Sequence, residues 1–174
     1  MSEMSFLYHL VPKNMQGHLL LPLNQLKNSH PDIYKEANKK YIGRESLMKV
    51  IIPTLDCLWN DVLHFSPVHP ELIHAALAEL GKDFHAKYFK IPAEIFAPEK
   101  TIFYLNGEIP KMDQRNWLPY ESALVLKYTE MPELTKIYYK EKLEKNEHPL
   151  LYAKIPHILY KGSLDTKNLE RIMV

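Results

Sequence analysis

The chain has 174 residues, a mass near 20.5 kDa, 46% apolar and 25% charged residues, the proportions of an ordinary globular domain. Twenty-two Lys and Arg against 21 Asp and Glu leave a net charge of +1, so no global field selects nucleic acid or an anionic membrane. The single cysteine, Cys57, excludes a disulfide framework, and five scattered glycines exclude a GxGxxG turn and a Walker-type phosphate loop.

A chain of this size is expected to form one domain and to fold without a metal or disulfide. The first residues lack a basic start and a long apolar run, and no stretch approaches the roughly 20 apolar residues of a membrane helix. A cytoplasmic protein without a membrane partner is therefore expected.

The elements follow in chain order. Residues 5–11 (SFLYHLV) are aromatic and apolar and end at Pro12, which predicts a buried first strand. Pro31 and Asp32 open a helical stripe of Ile33, Ala37 and Tyr41 that Gly43 can close. A short helix is expected over 45–50. Alternation over 61–66 predicts a strand, and His69-Pro70-Glu71 starts the clearest helix, 70–80. Strands are expected at 87–91 and 101–105. Residues 107–129, with Arg115, Trp117 and Tyr120, show no sustained period and read as a long functional excursion. A charged helix over 131–146 is expected to turn Leu134, Ile137, Tyr138 and Leu143 inward. Three strands, 150–153, 157–160 and 169–173, close the chain. Strands and helices do not alternate as βαβ units, so the fold class is α+β, with a central mixed or mainly antiparallel sheet and peripheral helices.

Nine histidines are the main compositional excess. His64, His69 and His74 are five apart, whereas two imidazoles on one helix face need a spacing of three or four, so no metal site is expected. His69 is expected to cap its helix and His74 to face solvent. Cys57, among Leu55, Leu58 and Trp59, reads as a buried, inert thiol. Asp56 and Asp61 read as caps or turns. Lysine outnumbers arginine 19 to 3, scattered along helix faces, which does not support nucleic-acid readout.

Three pieces are unusual for pure scaffolding: Tyr8-His9 inside an apolar strand, the polar groups of residues 59–67, and His157 at the start of a late strand. Their joint occurrence points to a shared cleft. Imidazoles at His9 and His157 can donate to the hydroxyls or phosphates of a ligand, and positioning and electrostatics of this kind are the usual sources of catalysis. Tyr8, Phe65, Tyr88 and Tyr104 offer stacking faces, and Arg44 (with Lys13 in reserve) offers an anion partner.

These residues resemble the ADP-ribosyltransferase fold. The similarity lies in Tyr8-His9, in Phe65-Ser66-Pro67, in Gly162-Ser163-Leu164-Asp165 and in the closing Leu169-Glu170-Arg171-Ile172. It is nearest to the small bacterial DNA-targeting toxins and the RNA 2′-phosphotransferase relatives. The resemblance implies NAD as cofactor, His9 on its ribose, and His64 or Phe65 clamping the nicotinamide. The family's late glutamate falls on His157, which departs from the pattern and argues for a chain degenerate in catalysis. The expected site is thus His9 and His157 as catalytic residues, with Tyr8, Arg44, Asn60, His64, Phe65 and Ser66 binding the cofactor. The expected partner is a small nucleotide, the macromolecular acceptor being unspecified. A non-enzymatic interaction module with structural histidines, or a metal-dependent hydrolase, are the rival readings.

Overall fold

A computed structural model describes residues 3–105 and 116–174. In chain order its strands are β1 (Phe6–Leu10), β2 (Leu19–Leu20), β3 (Ile51–Ile52), β4 (Cys57–Leu58), β5 (Leu63–Phe65) and β6 (Lys87–Pro92). They continue as β7 (Thr101–Tyr104), β8 (Trp117–Pro119), β9 (His157–Tyr160), β10 (Leu164–Asp165) and β11 (Glu170–Met173). The helices are α1 (Leu23–Ser29), α2 (Pro31–Asn38), α3 (Pro70–Ala78) and α4 (Glu133–Glu144), supplemented by short 3-10 turns.

Two sheets carry the fold, β1-β6-β11 and β5-β9-β7-β8, and every described pairing is antiparallel. One bridge joins them. Tyr8 stands opposite Ser66, their N–H and C=O groups exchanging bonds of 2.9 and 3.0 Å. Beyond that bridge β1 and β5 part. The result is one antiparallel run, β11-β6-β1-β5-β9-β7-β8, with a gap between its third and fourth strands. The class is α+β, and the sheet is antiparallel rather than mixed.

Aromatic and branched residues build both faces of this sheet, as a pleated surface favours. Leu7, Phe65, Phe89, Ile91, Phe103 and Ile158 pack on one face. Tyr41, Leu47, Trp59, Ile102, Tyr104 and Leu159 pack on the other. A third cluster, including Ile73, Leu77, Tyr139 and Ile155, joins α3 to α4.

Several sequence expectations change here. Residues 59–61 form a 3-10 turn, so the predicted strand at 61–66 shortens to Leu63–Phe65. Residues 151–154 are a turn rather than a strand, with Lys154 at φ 64°. The reversal carries the chain directly into β9. Helix α4 buries Thr135 and Tyr139, while Leu134 and Ile137 are 65% and 46% exposed. The Tyr139 hydroxyl donates to the Leu151 carbonyl, and that bond orients the helix against its own apolar stripe.

His74 is buried, not solvent-facing. Its Nδ1–H donates to the Phe84 carbonyl at 3.0 Å, leaving Nε2 to accept from the Tyr88 hydroxyl at 2.7 Å. His69 caps α3 as expected, its Nδ1 accepting from the Glu71 N–H at 3.2 Å. Of the excursion at 107–129, residues 107–115, Arg115 included, lie outside the described residues. Its remainder forms β8 and a 3-10 turn, Ser122–Tyr128. No helix among the described residues is long and apolar enough to cross a membrane.

Cys57 sits in β4 and is partly buried against the Trp59 cluster. Burial raises its thiol pKa, with Asp61 and Asp56 adding to the rise and Lys161 opposing it. Little thiolate exists at neutral pH. The native protein is expected to react with a thiol reagent at least tenfold more slowly than a free cysteine, measured by absorbance under pseudo-first-order conditions. A rate equal to that of the unfolded chain would show the thiol to be activated.

Candidate functional site

The gap between β1 and β5 gathers the unusual polar groups. Tyr8 and Ser66 form the bridge at its head, so their backbone groups hold the two sheets together. Ser66 is spent locally: its hydroxyl donates to the Val68 carbonyl and accepts from the Val68 N–H. Ladder alternation then turns the N–H and C=O of Leu10 and of His64 toward the gap.

Side-chain alternation distributes the three histidines. His9 lies on the Phe65 face, its ring centroid 5.5 Å from that of Phe65. His64 and His157 lie together on the Trp59 face, 6.1 Å apart, at 4.8 and 6.0 Å from the indole. The pair that shares a face is therefore His64 with His157. His9 approaches from the other side of the split.

Each ring is fixed in one tautomer. A carbonyl oxygen only accepts, so the ring nitrogen facing one must carry the hydrogen. His9 Nδ1 donates to the Leu10 carbonyl at 2.7 Å, His64 Nε2 to Trp59 at 2.9 Å, and His157 Nδ1 to Ile155 at 2.6 Å. The nitrogens left over, His9 Nε2, His64 Nδ1 and His157 Nε2, are acceptors. Donation to phosphate, expected from the sequence, is closed to them while these bonds stand.

The rings are also uncharged at neutral pH. Burial is the main cause, drawing His9 and His157 down from 6.5 to about 4 against the pull of their carbonyl partners. His64 falls well below 6.5, by burial and then by its neighbours His157 and Lys40. The Lys40 charge bears on all three.

Lys40 belongs to a cationic pair that sequence reading saw only in half. The 3-10 turn Lys39–Tyr41 extends α2 and buries Tyr41. Lys40 Nζ lies 5.2 Å and Arg44 Cζ 5.8 Å from the centroid of that ring. Arg44 donates to the Lys40 carbonyl. Among the described residues no carboxylate pairs with either cation. The surrounding protein and then the Arg44 charge hold the Lys40 pKa below the usual lysine value. Two cations without a carboxylate partner among the described residues give this region a local positive field in a chain of net charge +1.

Other nominated residues have structural work. Tyr8, Phe65, Tyr88 and Tyr104 are all buried, at most 7% exposed, so none offers a free stacking face. Asn60 is buried with its Oδ1 unpartnered. Asp61 is a cap: it accepts from the Asn24 amide at 2.7 Å and the Leu58 N–H at 2.8 Å. Lys13 is exposed. Among the described residues no group of three His, Cys, Asp or Glu is placed to hold a metal ion.

Two hollows adjoin the sheet. One, of about 410 Å³, is walled by Pro53, Pro98, Ile102, Trp117 and Pro119 and contains none of the histidines. The other, about 20 Å³, sits in the gap and is lined by His64, Phe65, Ser66, Tyr152, Pro156 and His157. Searches of family models, of curated proteins and of solved structures find no match to this chain.

Proposed function

We propose that the protein binds a nucleotide-sugar of the NAD or ADP-ribose class across the gap between β1 and β5. The observation that carries this reading is the pairing of opposite chemistries around the gap. His64 and His157 on one face and His9 on the other are uncharged and locked as acceptors, and the charge of Lys40, which shares the Tyr41 ring with Arg44 and pairs with no carboxylate among the described residues, reaches all three. Sugar hydroxyls are donors that match the imidazole acceptors, and phosphates match the cations. A nucleotide-sugar carries both on one short scaffold.

The proposal stops at binding. The late glutamate of ADP-ribosyl transfer has no counterpart in β9, where His157 stands. Glu170, on β11, pairs with Lys90 at 3.1 Å.

Titration calorimetry with NAD and ADP-ribose tests the reading. Micromolar to sub-millimolar affinity is expected, and Lys40→Glu with Arg44→Glu should weaken it at least tenfold. Both side chains reach the surface, so the double variant should keep its unfolding midpoint. Absence of any heat to millimolar ligand, or unchanged affinity in the charge-reversed protein, overturns the proposal.

A further inference from the structure

The 20 Å³ cavity in the gap is the size of one water or one hydroxyl. Its polar complement is specific. Tyr152 lines it, and the Tyr152 hydroxyl is buried without completing a hydrogen bond, although the Leu10 N–H approaches its oxygen. His64 and His157 line it too, and the nitrogens that their carbonyl bonds leave over, Nδ1 and Nε2, can only accept. Ser66 also lines it, but its hydroxyl is already engaged with Val68. The cavity thus holds one unspent donor and unspent acceptors. An unpartnered buried hydroxyl is costly, and a group that both accepts and donates would satisfy it. A hydroxyl does both. A hydrogen cannot, and a phosphate ester is too large for the space.

We propose that this cavity is a hydroxyl pocket: one free ribose hydroxyl of the ligand enters it, accepting from Tyr152 and donating to His64 or His157. The inference rests on the nucleotide-sugar reading and names what that site selects. It makes Tyr152 a binding residue that discriminates a ribosyl ligand from its deoxy analogue, and from a ligand phosphorylated on the same oxygen.

The experiment is calorimetry of the whole chain with ADP-ribose and with analogues lacking the 2′- or the 3′-hydroxyl of one ribose at a time. One of these deletions should cost at least tenfold in affinity while the others cost little. Tyr152→Phe should lose a similar factor toward ADP-ribose and lose nothing further toward that one analogue. Its thermal midpoint should match or exceed the wild-type value, because the lost hydroxyl serves the ligand and not the fold. Equal affinity for every deoxy analogue, or a Tyr152→Phe loss that persists undiminished with the sensitive analogue, overturns the hydroxyl pocket alone. A clear fall in the midpoint of Tyr152→Phe does the same, since it assigns the hydroxyl to Leu10. A wild-type protein that binds no nucleotide at all overturns the parent reading and the pocket with it.

Discussion

Acidification from pH 7 to pH 5 is expected to lower the unfolding free energy by roughly 3–6 kcal/mol. The sign follows from the direction of the shifts. His9 and His157 titrate at about 4 in the fold, and His64 and His74 also lie below the ordinary value of 6.5. As pH falls through 6.5 the unfolded chain takes up protons that the folded chain refuses. Stability is therefore complete above that value, declines between about 6.5 and 4, and has lost these contributions below the folded pKa values. One ring contributes at most about 1.4 kcal/mol per pH unit across the window. Total stabilities of about 5–15 kcal/mol make such a loss large enough to read in urea midpoints. Replacing His64 and His157 together by Gln should make the pH dependence distinctly shallower. A wild-type midpoint that is flat from pH 7 to 5 would mean that the rings are solvated and charge freely. A nucleotide with its phosphates at Lys40 and its hydroxyls on neutral imidazoles should in turn keep its affinity from pH 7 down to about 5 and lose it only as the folded rings charge near 4.

How much of this was legible in the sequence depends on the range of the interaction. Strands with aromatic and branched neighbours were readable from local pattern, and residues 157–160 form β9 as expected. The start of α3 was readable because His69, Pro70 and Glu71 act on groups within one turn. Helix α1 was missed because it starts at Leu23 without a side-chain cap and buries none of its residues, leaving no local signal. His74 was misplaced because its partners, Tyr88 and Phe84, come from beyond the helix. In the site, histidines in apolar strands are a local cue that pairs His9 with His157 in one cleft, whereas the ladders set His9 on the Phe65 face and His157 on the Trp59 face. Which of them share a face was not readable from strand periods alone. That depends on the single bridge at Tyr8 and Ser66, which fixes β1 against β5. The tautomers were equally hidden, since each is set by a backbone carbonyl whose position only the fold determines. Lys40 looked like one more lysine on a polar helix. Only the 3-10 continuation of α2 brings it over Tyr41 beside Arg44.

Trp59 is the residue on which the His64–His157 face depends most. Its ring lies 4.8 Å from His64, 6.0 Å from His157 and 5.6 Å from Tyr104, and it is 5% exposed. Its backbone N–H donates to the Val50 carbonyl at 3.0 Å, and its backbone carbonyl receives His64 Nε2–H. The indole is also the hydrogen-bond partner of the Tyr41 side chain, the platform beneath Lys40 and Arg44. Trp59→Ala should therefore cost about 3–5 kcal/mol of stability, as for other large aromatic truncations in cores. The backbone carbonyl survives the substitution, so His64 keeps its tautomer while losing its wall. Water entering the space weakens the desolvation that holds the His64 pKa down. The prediction is thus twofold: a lower urea midpoint, and an imidazole titration of His64 that moves up toward 6.5, followed by NMR. Trp59→Phe separates packing from hydrogen bonding, because it retains an aromatic wall and loses the indole N–H. It should keep most of the His64 shift while disturbing Tyr41 and, through it, the cationic pair. A loss below about 1 kcal/mol in Trp59→Ala would show that the face is held by the β5–β9 ladder instead.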